Sequence, residues 1–211
     1  RNHSSAASDV YKRQIIYCQP FVKRKRHMAS KFDEILAQGV RAGQIPARTQ
    51  GARDWFRNKA RSTSATPEAI VRGEKARYKN RVSMGKMYLF NYDPKTKATL
   101  PYYDRYPLIF PVQGAPGGFY GINMHYLPYV LRARLMDALY DLSSNQRYDE
   151  RTKLRLSYGI LKGAAKYKAF KPTFKRYLSS HVRSRFIEIN SSEWDIALFL
   201  PLESFAKASK G

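Results

Sequence analysis

The spacing of apolar and polar positions changes twice along this chain, and each change marks a different kind of element. Residues 28–83 hold no sustained apolar period, because Gly39, Gly43, Pro46, Gly51, the Ser/Thr-rich stretch 62–66 and Pro67 interrupt every run. Short helices are predicted over 33–39, 51–61 and 67–81. The last has Thr66 as N-cap, Pro67 at its first position and Glu68 in its first turn, residue types that suit a helix start. It carries Arg72, Lys75, Arg77, Lys79 and Arg81 with few apolar positions, so it is not expected to bury a face. Trp55 and Phe56 are predicted to anchor this loosely ordered basic arm on the folded body.

From Met84 the pattern turns to strands. Met87–Tyr92 is an aromatic β run closed by Asp93-Pro94-Lys95-Thr96-Lys97, in which Pro presets φ and Asp can bond its own backbone. Tyr106–Val112 is predicted as a second strand, with Pro107 and Pro111 arguing for an edge position. After the turn Gln113–Gly118, Phe119–Tyr126 is the third. Tyr129–Leu142 is the clearest helix, placing Val130, Leu131, Leu135, Ala138, Leu139 and Leu142 on one face and Arg132, Arg134 and Asp141 towards its edges. A second helix is predicted from Asp149 to about Phe170, stopped by Pro172, and a third over 173–182. Phe186–Ile189 and Trp194–Leu200 read as strands that return to complete the sheet. The fold class is α+β: a small, curved, aromatic-rich sheet or barrel over 84–205 with inserted basic helices, preceded by the basic helical arm of 28–83.

Charge then narrows the partners. Lys and Arg number 39 against 16 Asp and Glu, a formal net charge of +23 over 211 residues, which repels itself unless a polyanion neutralises it. Sixteen Tyr and eleven Phe are too many aromatics for a wholly disordered basic tail. The single Cys18 excludes an internal disulfide, and no Cys/His pair has zinc-ligand spacing. No apolar run approaches the roughly 18 residues that a membrane span needs, so a soluble chain without membrane contact is expected. Residues 4–14 resemble translated sequencing-adapter read-through, residues 1–27 are read as non-native or upstream sequence, and Met28 is the expected start. Without residues 1–27 the net charge is still +17.

The densest charge lies over 142–186, with twelve basic and two acidic residues. Arg155, Lys162, Lys166, Lys168, Lys171, Lys175 and Arg176 are spaced to follow a phosphate backbone, with Arg72, Lys75 and Lys79 of the arm as further contacts. Such contacts carry no base-reading fork, so binding is expected to be independent of sequence. The plain alternative is a solvated face. Gly159, Gly163, Ala164 and Ala165 would allow a close approach by a helix or by DNA.

Three other constellations offer chemistry. Asp93, Asp104 and Asp137 would suit a Mg²⁺-dependent nuclease if they met, since phosphodiester cleavage needs carboxylates to place the metal. Asp93, however, sits in a turn where it caps, and Asp104 beside Arg105 reads as an ion pair. His125 and His181 would be acid and base only with partners that spacing does not name. Tyr102 and Tyr103 would stack on unpaired bases, against the simpler reading of packing residues. No cofactor, metal or catalytic residue is expected.

Over 87–139 the wording becomes specific. The stretches Tyr88-Leu89-Phe90-Asn91-Tyr92-Asp93-Pro94-Lys95, Leu100-Pro101-Tyr102-Tyr103-Asp104-Arg105-Tyr106-Pro107, Gly118-Phe119-Tyr120-Gly121-Ile122-Asn123-Met124-His125-Tyr126 and Arg132-Ala133-Arg134-Leu135 resemble the DNA end protector family of T-even-type tailed bacteriophages, minor proteins of head completion. Arg53-Asp54-Trp55-Phe56-Arg57-Asn58-Lys59-Ala60 and Trp194-Asp195-Ile196-Ala197-Leu198-Phe199-Leu200-Pro201 are similar as well. The resemblance implies a non-enzymatic virion protein of the capsid head. It would bind the free ends of packaged double-stranded DNA, shield them from host exonuclease in the host cytoplasm, and meet phage head or portal proteins. The alternatives from other classes are an RNA-binding or ribosome-associated module and a metal-dependent nuclease of head completion.

Overall fold

Three helices open the described part of the chain, and each begins on a side-chain cap. The computed structural model describes residues 30–44, 49–143, 145–164 and 166–207; the segment read as non-native, with Cys18, lies outside them. Ser30 accepts from the Asp33 amide at 3.1 Å to start α1 (Lys31–Arg41), Thr49 from Ala52 at 3.1 Å to start α2 (Gln50–Arg61), and Thr66 from Ala69 at 3.2 Å to start α3 (Pro67–Gly73). The segment read as a loose arm is therefore helical, and its helices also pack. Phe32, Ile35, Phe56, Ala60, Ile70 and Val71 are buried in the same core as the sheet. Ile70 and Val71 correct the expectation that the third helix buries nothing.

That third helix is also shorter than its predicted span. It stops at Gly73, a poor helix former, and the chain turns through the 3-10 segment Lys75–Arg77 into β1 (Tyr78–Lys79). The turn is held by Arg77, which donates from Nη2 to Glu193 at 2.8 Å and lies 3.0 Å from Glu74. Glu74 and Glu193 are both buried.

The main sheet has six strands, β1, β2 (Met87–Leu89), β4 (Leu108–Ala115), β5 (Gly118–Asn123), β6 (Phe174–Leu178) and β7 (Phe186–Ile189), in the order β1-β7-β2-β4-β5-β6 with every pair antiparallel. A separate ladder pairs β3 (Tyr102–Asp104) with β8 (Phe205–Lys207). The chain does return to the first strand of the body, as expected, with Met87 of β2 opposite Ile189 of β7. The sheet curves without closing by regular pairing. One isolated bridge, Tyr92 with Val182, joins the chain beyond β2 to the chain beyond β6.

Four predicted elements are corrected. β4 is interior and not at an edge: Pro111 falls at a register shift between Pro111 and Gln113, where a residue without an N–H is tolerated. The expected helix over 173–182 is β6, because β5 takes this segment as its antiparallel partner. The helix predicted to Phe170 ends sooner: α5 (Glu150–Ala164) gives way to a 3-10 segment over Lys168–Thr173. Trp194–Leu200, read as a strand, is α6 (Trp194–Phe199), preceded by a capping box in which Asn190 and Glu193 satisfy each other's amides. A run that is apolar at every position but Asp195 has too little period to tell a buried helix from a buried strand.

Side-chain alternation gives the sheet two cores. Leu89, Leu108, Phe110, Ile122, Ile187 and Ile189 pack against the helices. On the opposite face Tyr88, Phe90, Tyr92, Ile109, Phe119, Tyr177 and Phe186 form a separate aromatic core inside the curve. At the β4–β5 turn Gly117 takes a left-handed φ of 69°. A Cβ on the next residue, Gly118, would lie 1.9 Å from the Tyr177 carbonyl oxygen, so the β5–β6 approach requires glycine there.

The α4 helix (Tyr129–Ser143) buries Leu135 and Leu139 of the predicted face but turns the rest of that face differently. Leu135, Met136 and Leu139 are buried, Val130 is exposed, and Arg132 is inside. Its guanidinium donates to the carbonyls of Leu127 (2.8 Å), Leu198 (3.0 Å) and His125 (3.0 Å) and lies 2.6 Å from Glu203. It thereby ties the start of α4 to the end of α6, with its charge met by carbonyls and a carboxylate.

Candidate nucleic-acid interface

The charge that gives this chain its net +23 is not all at its surface. Arg53 and Arg57 on α2 are buried and share Asp195 of α6, with Nε to carboxylate distances of 3.1 and 2.9 Å; both also reach Asp137 of α4, at 2.7 and 3.0 Å. Arg77 and Arg132 are engaged as described above. Two of the segments that carry the family resemblance, 53–60 and 194–201, are thus joined by these ion pairs. Arginine suits the role because its planar fork can satisfy carboxylates and carbonyls together.

The basic residues predicted to contact DNA fall into two groups. Arg155 and Lys162 are exposed on α5, Lys166 is exposed in the turn just past it, Lys168 and Lys171 are exposed on the 3-10 segment, and Lys175 and Arg176 lie on β6. No Asp or Glu occurs between Glu150 and Glu188, so the run is uninterrupted by acidic residues along the chain. Arg72, Lys75 and Lys79 are exposed near β1. β1 and β6 are the two edges of the sheet, five strand spacings apart, or about 24 Å along the sheet at about 4.8 Å per step. Lys175 and Arg176 on β6 and the group beside β1 therefore stand at opposite edges of the sheet.

The strand conformation of β6 also splits two neighbours that a helix would have kept close. Lys175 pairs across the ladder with Gly121, and Arg176 with Tyr120, so they project to opposite faces. Arg176 donates to the Pro116 carbonyl at 2.9 Å. Lys175 stands 4.5 Å from the centre of the Tyr126 ring, and burial holds its ammonium below the usual lysine range.

The candidate catalytic residues are not gathered into one site. Asp93 binds Lys97 (2.9 Å) and Arg183 (3.3 Å), and Asp137 binds the two α2 arginines. Asp104 is not paired with Arg105, as expected from sequence, but is buried: its carboxylate accepts from the Tyr106 amide (3.0 Å), Asn123 Nδ2 (2.9 Å) and His125 Nδ1 (2.7 Å). Among the described residues no group of three or more His, Cys, Asp or Glu side chains is placed to hold a metal ion. His181 donates from Nδ1 to the Asp93 carbonyl at 2.8 Å. Sequence reasoning missed the Asp104–Asn123–His125 group because β3 and β5 lie in different ladders and no periodic spacing links them.

Burial, reinforced by the Asp104 charge, raises the Tyr126 phenol to about 12, and burial also raises the Tyr177 phenol well above its usual range. A phenol whose folded pKa lies above its unfolded value of about 10 stabilises the fold fully below that pH and loses this contribution as pH rises through the folded value. Denaturant titrations are therefore expected to show wild type losing stability above about pH 10 more steeply than Tyr126→Phe. Equal slopes would contradict the stated environment of Tyr126.

Two comparisons found no match: neither a curated protein nor a solved structure matches significantly. The third did, over nearly the whole chain. Residues 17–211 match the family model described as phage T4 terminal DNA protecting protein. Among the described residues no helix is long and apolar enough to cross a membrane.

Proposed function

The chain belongs to the phage T4 terminal DNA protecting protein family, and we propose that it occupies free ends of double-stranded DNA and shields them from exonuclease without cutting or joining the strand. We place that role in head completion, with the protein in the virion and entering the host cytoplasm with the DNA, next to head or portal proteins. The observation that carries the reading is the exposed basic run from Arg155 through Lys162, Lys166, Lys168 and Lys171 to Arg176, free of intervening acidic residues. Lys175, at its edge, faces the other side of the sheet. Arg72, Lys75 and Lys79, at the far edge, supply a secondary contact when the duplex extends that way.

These side chains act as point charges on flexible stems, which neutralise phosphates and release condensed counterions without reading bases. The separate engagement of Asp93, Asp104 and Asp137 supports a shield over a nuclease, since none of them stands ready to share a metal with another.

The test is a competition in EDTA among a linear blunt duplex, the same sequence as a covalently closed circle, and a structured RNA, followed by exonuclease digestion of the linear duplex with and without protein. Binding that favours the linear duplex without divalent metal, together with slowed digestion, is expected. Equal binding to circle and linear duplex would remove the end-binding element, a preference for RNA would favour the RNA-binding alternative, and Mg²⁺-dependent nicking by the protein would identify a nuclease.

A further inference from the structure

Beside the edge strand β6 lies a cavity of about 280 Å³, lined among others by Lys95, Tyr102, Asp104, Asn123, Tyr126 and Lys175. Its wall is aromatic. Tyr102 is stacked with Tyr126, with ring centres 5.8 Å apart and planes at 26°, and Phe205 meets both rings edge-on at 5.7 and 5.1 Å. Tyr102 is nevertheless 49% exposed and Phe205 43% exposed. In the β3–β8 ladder Tyr102 stands opposite Lys207 and Asp104 opposite Phe205, so these four residues share one face.

The charges complete the site. Asp104 is engaged by Tyr106, Asn123 and His125, so its carboxylate is already satisfied inside the protein. Among the described residues Lys175 has no carboxylate within ion-pair reach, and the partner found for its ammonium is the Tyr126 ring. A half-buried ammonium held only by a ring face keeps donors for an anion, and an exposed aromatic pair beside it offers a stacking surface. Lys95 adds positive charge to the lining, and Lys207 stands opposite Tyr102 in the ladder.

A flat unsaturated ring joined to a phosphate answers both features, and the volume sits near the lower bound of small-ligand sites, enough for one nucleotide and too small for a stacked base pair. We infer that this cavity takes a single unpaired nucleotide at the end of a DNA strand, its base stacked on Tyr102 and its phosphate on Lys175. The inference rests on the end-binding reading above and adds to it a preferred end structure: frayed or overhanging over blunt.

Hairpin duplexes closed at one end separate the two. One carries a single unpaired 2-aminopurine at its open end, one is blunt with 2-aminopurine paired internally, and a closed circle serves as the endless control. Wild type is expected to bind the overhang about tenfold more tightly than the blunt end, within the range that stacking one base on an aromatic supplies, and to quench the terminal 2-aminopurine only. Tyr102→Phe should keep both effects, Tyr102→Ala should lose both while still binding blunt duplex, and Lys175→Gln should weaken overhang binding by more than it weakens blunt binding. Equal affinity for overhang and blunt ends without quenching overturns the inference and leaves end binding standing. If circles bind as well as ends, the end-binding reading fails, and the cavity is then judged on a short single strand: Tyr102-dependent quenching upholds it and no quenching overturns it.

Discussion

Replacing Lys162 and Lys166 together by glutamate is expected to weaken binding to linear duplex by about thirtyfold to a thousandfold, alike for all sequences. A unit-charge pair at about 4 Å is worth about 1 kcal/mol in a water-like dielectric. Reversal removes that attraction at two sites and adds comparable repulsion, a total of about 2–4 kcal/mol once salt screening is allowed for. Because each phosphate contact contributes close to one unit to the slope of log affinity against log salt, the slope should flatten by about two units. Both side chains are exposed, so the fold should tolerate the change. The companion variant Lys75→Glu/Lys79→Glu, at the other edge of the sheet, should lose clearly less. Binding and exonuclease protection measured across a salt series decide the matter: equal losses in the two double variants would mean that the interface is spread over the whole surface, and no loss in the first would remove the α5–β6 run from it.

Phe90→Ala is expected to cost about 3–5 kcal/mol of stability, the range for emptying a large aromatic site. Phe90 is fully buried at the centre of the aromatic core, with ring centres of Phe186 at 4.9 Å, Tyr177 at 5.6 Å, Tyr92 at 6.1 Å and Phe119 at 6.4 Å. Those neighbours come from the segment after β2 and from β5, β6 and β7, so a void there loosens the curved sheet on several sides and does not collapse locally. Thermal unfolding should move down by about 6–20 °C, taking about 2–4 °C per kcal/mol for a chain of this size. Phe90→Leu, which leaves a smaller void, should lose much less. A loss below about 1 kcal/mol for the alanine variant, the level of an ordinary substitution, would mean that this core is not holding the sheet. Because β6 carries Lys175 and Arg176, the alanine variant should also bind DNA less well near its midpoint and normally well below it.

What was legible in the sequence was what depends on neighbours along the chain. Thr66-Pro67 marked a helix start that the structure places there, the Asp93–Lys97 turn and the β4–β5 hairpin fall where their Pro and Gly residues put them, and the net charge called for a polyanion. The capping box Asn190–Glu193 was equally local and would have identified α6, but the run behind it, apolar except for Asp195, was read by composition as a strand. The mistaken helix over 173–182 has the opposite cause: nothing within the segment marks it as a strand, and the unpaired edge of β5 decides it.

The same division runs through the site. Sequence by itself determined that positive charge is concentrated over 142–186, since a count of charges needs no geometry. Only the tertiary structure decided which charges are available: Arg53, Arg57 and Arg132 look like surface residues in a basic chain, yet each is buried, and half-buried Arg77 is held by Glu74 and Glu193, because a guanidinium withdrawn from water is tolerated only where carboxylates and carbonyls surround it. The pairing of β6 with β5 turned Lys175 to one face and Arg176 to the other, and the β3–β8 ladder set Tyr102 beside Tyr126 and Phe205. Those placements depend on contacts between residues far apart in the chain, and no local pattern encodes them.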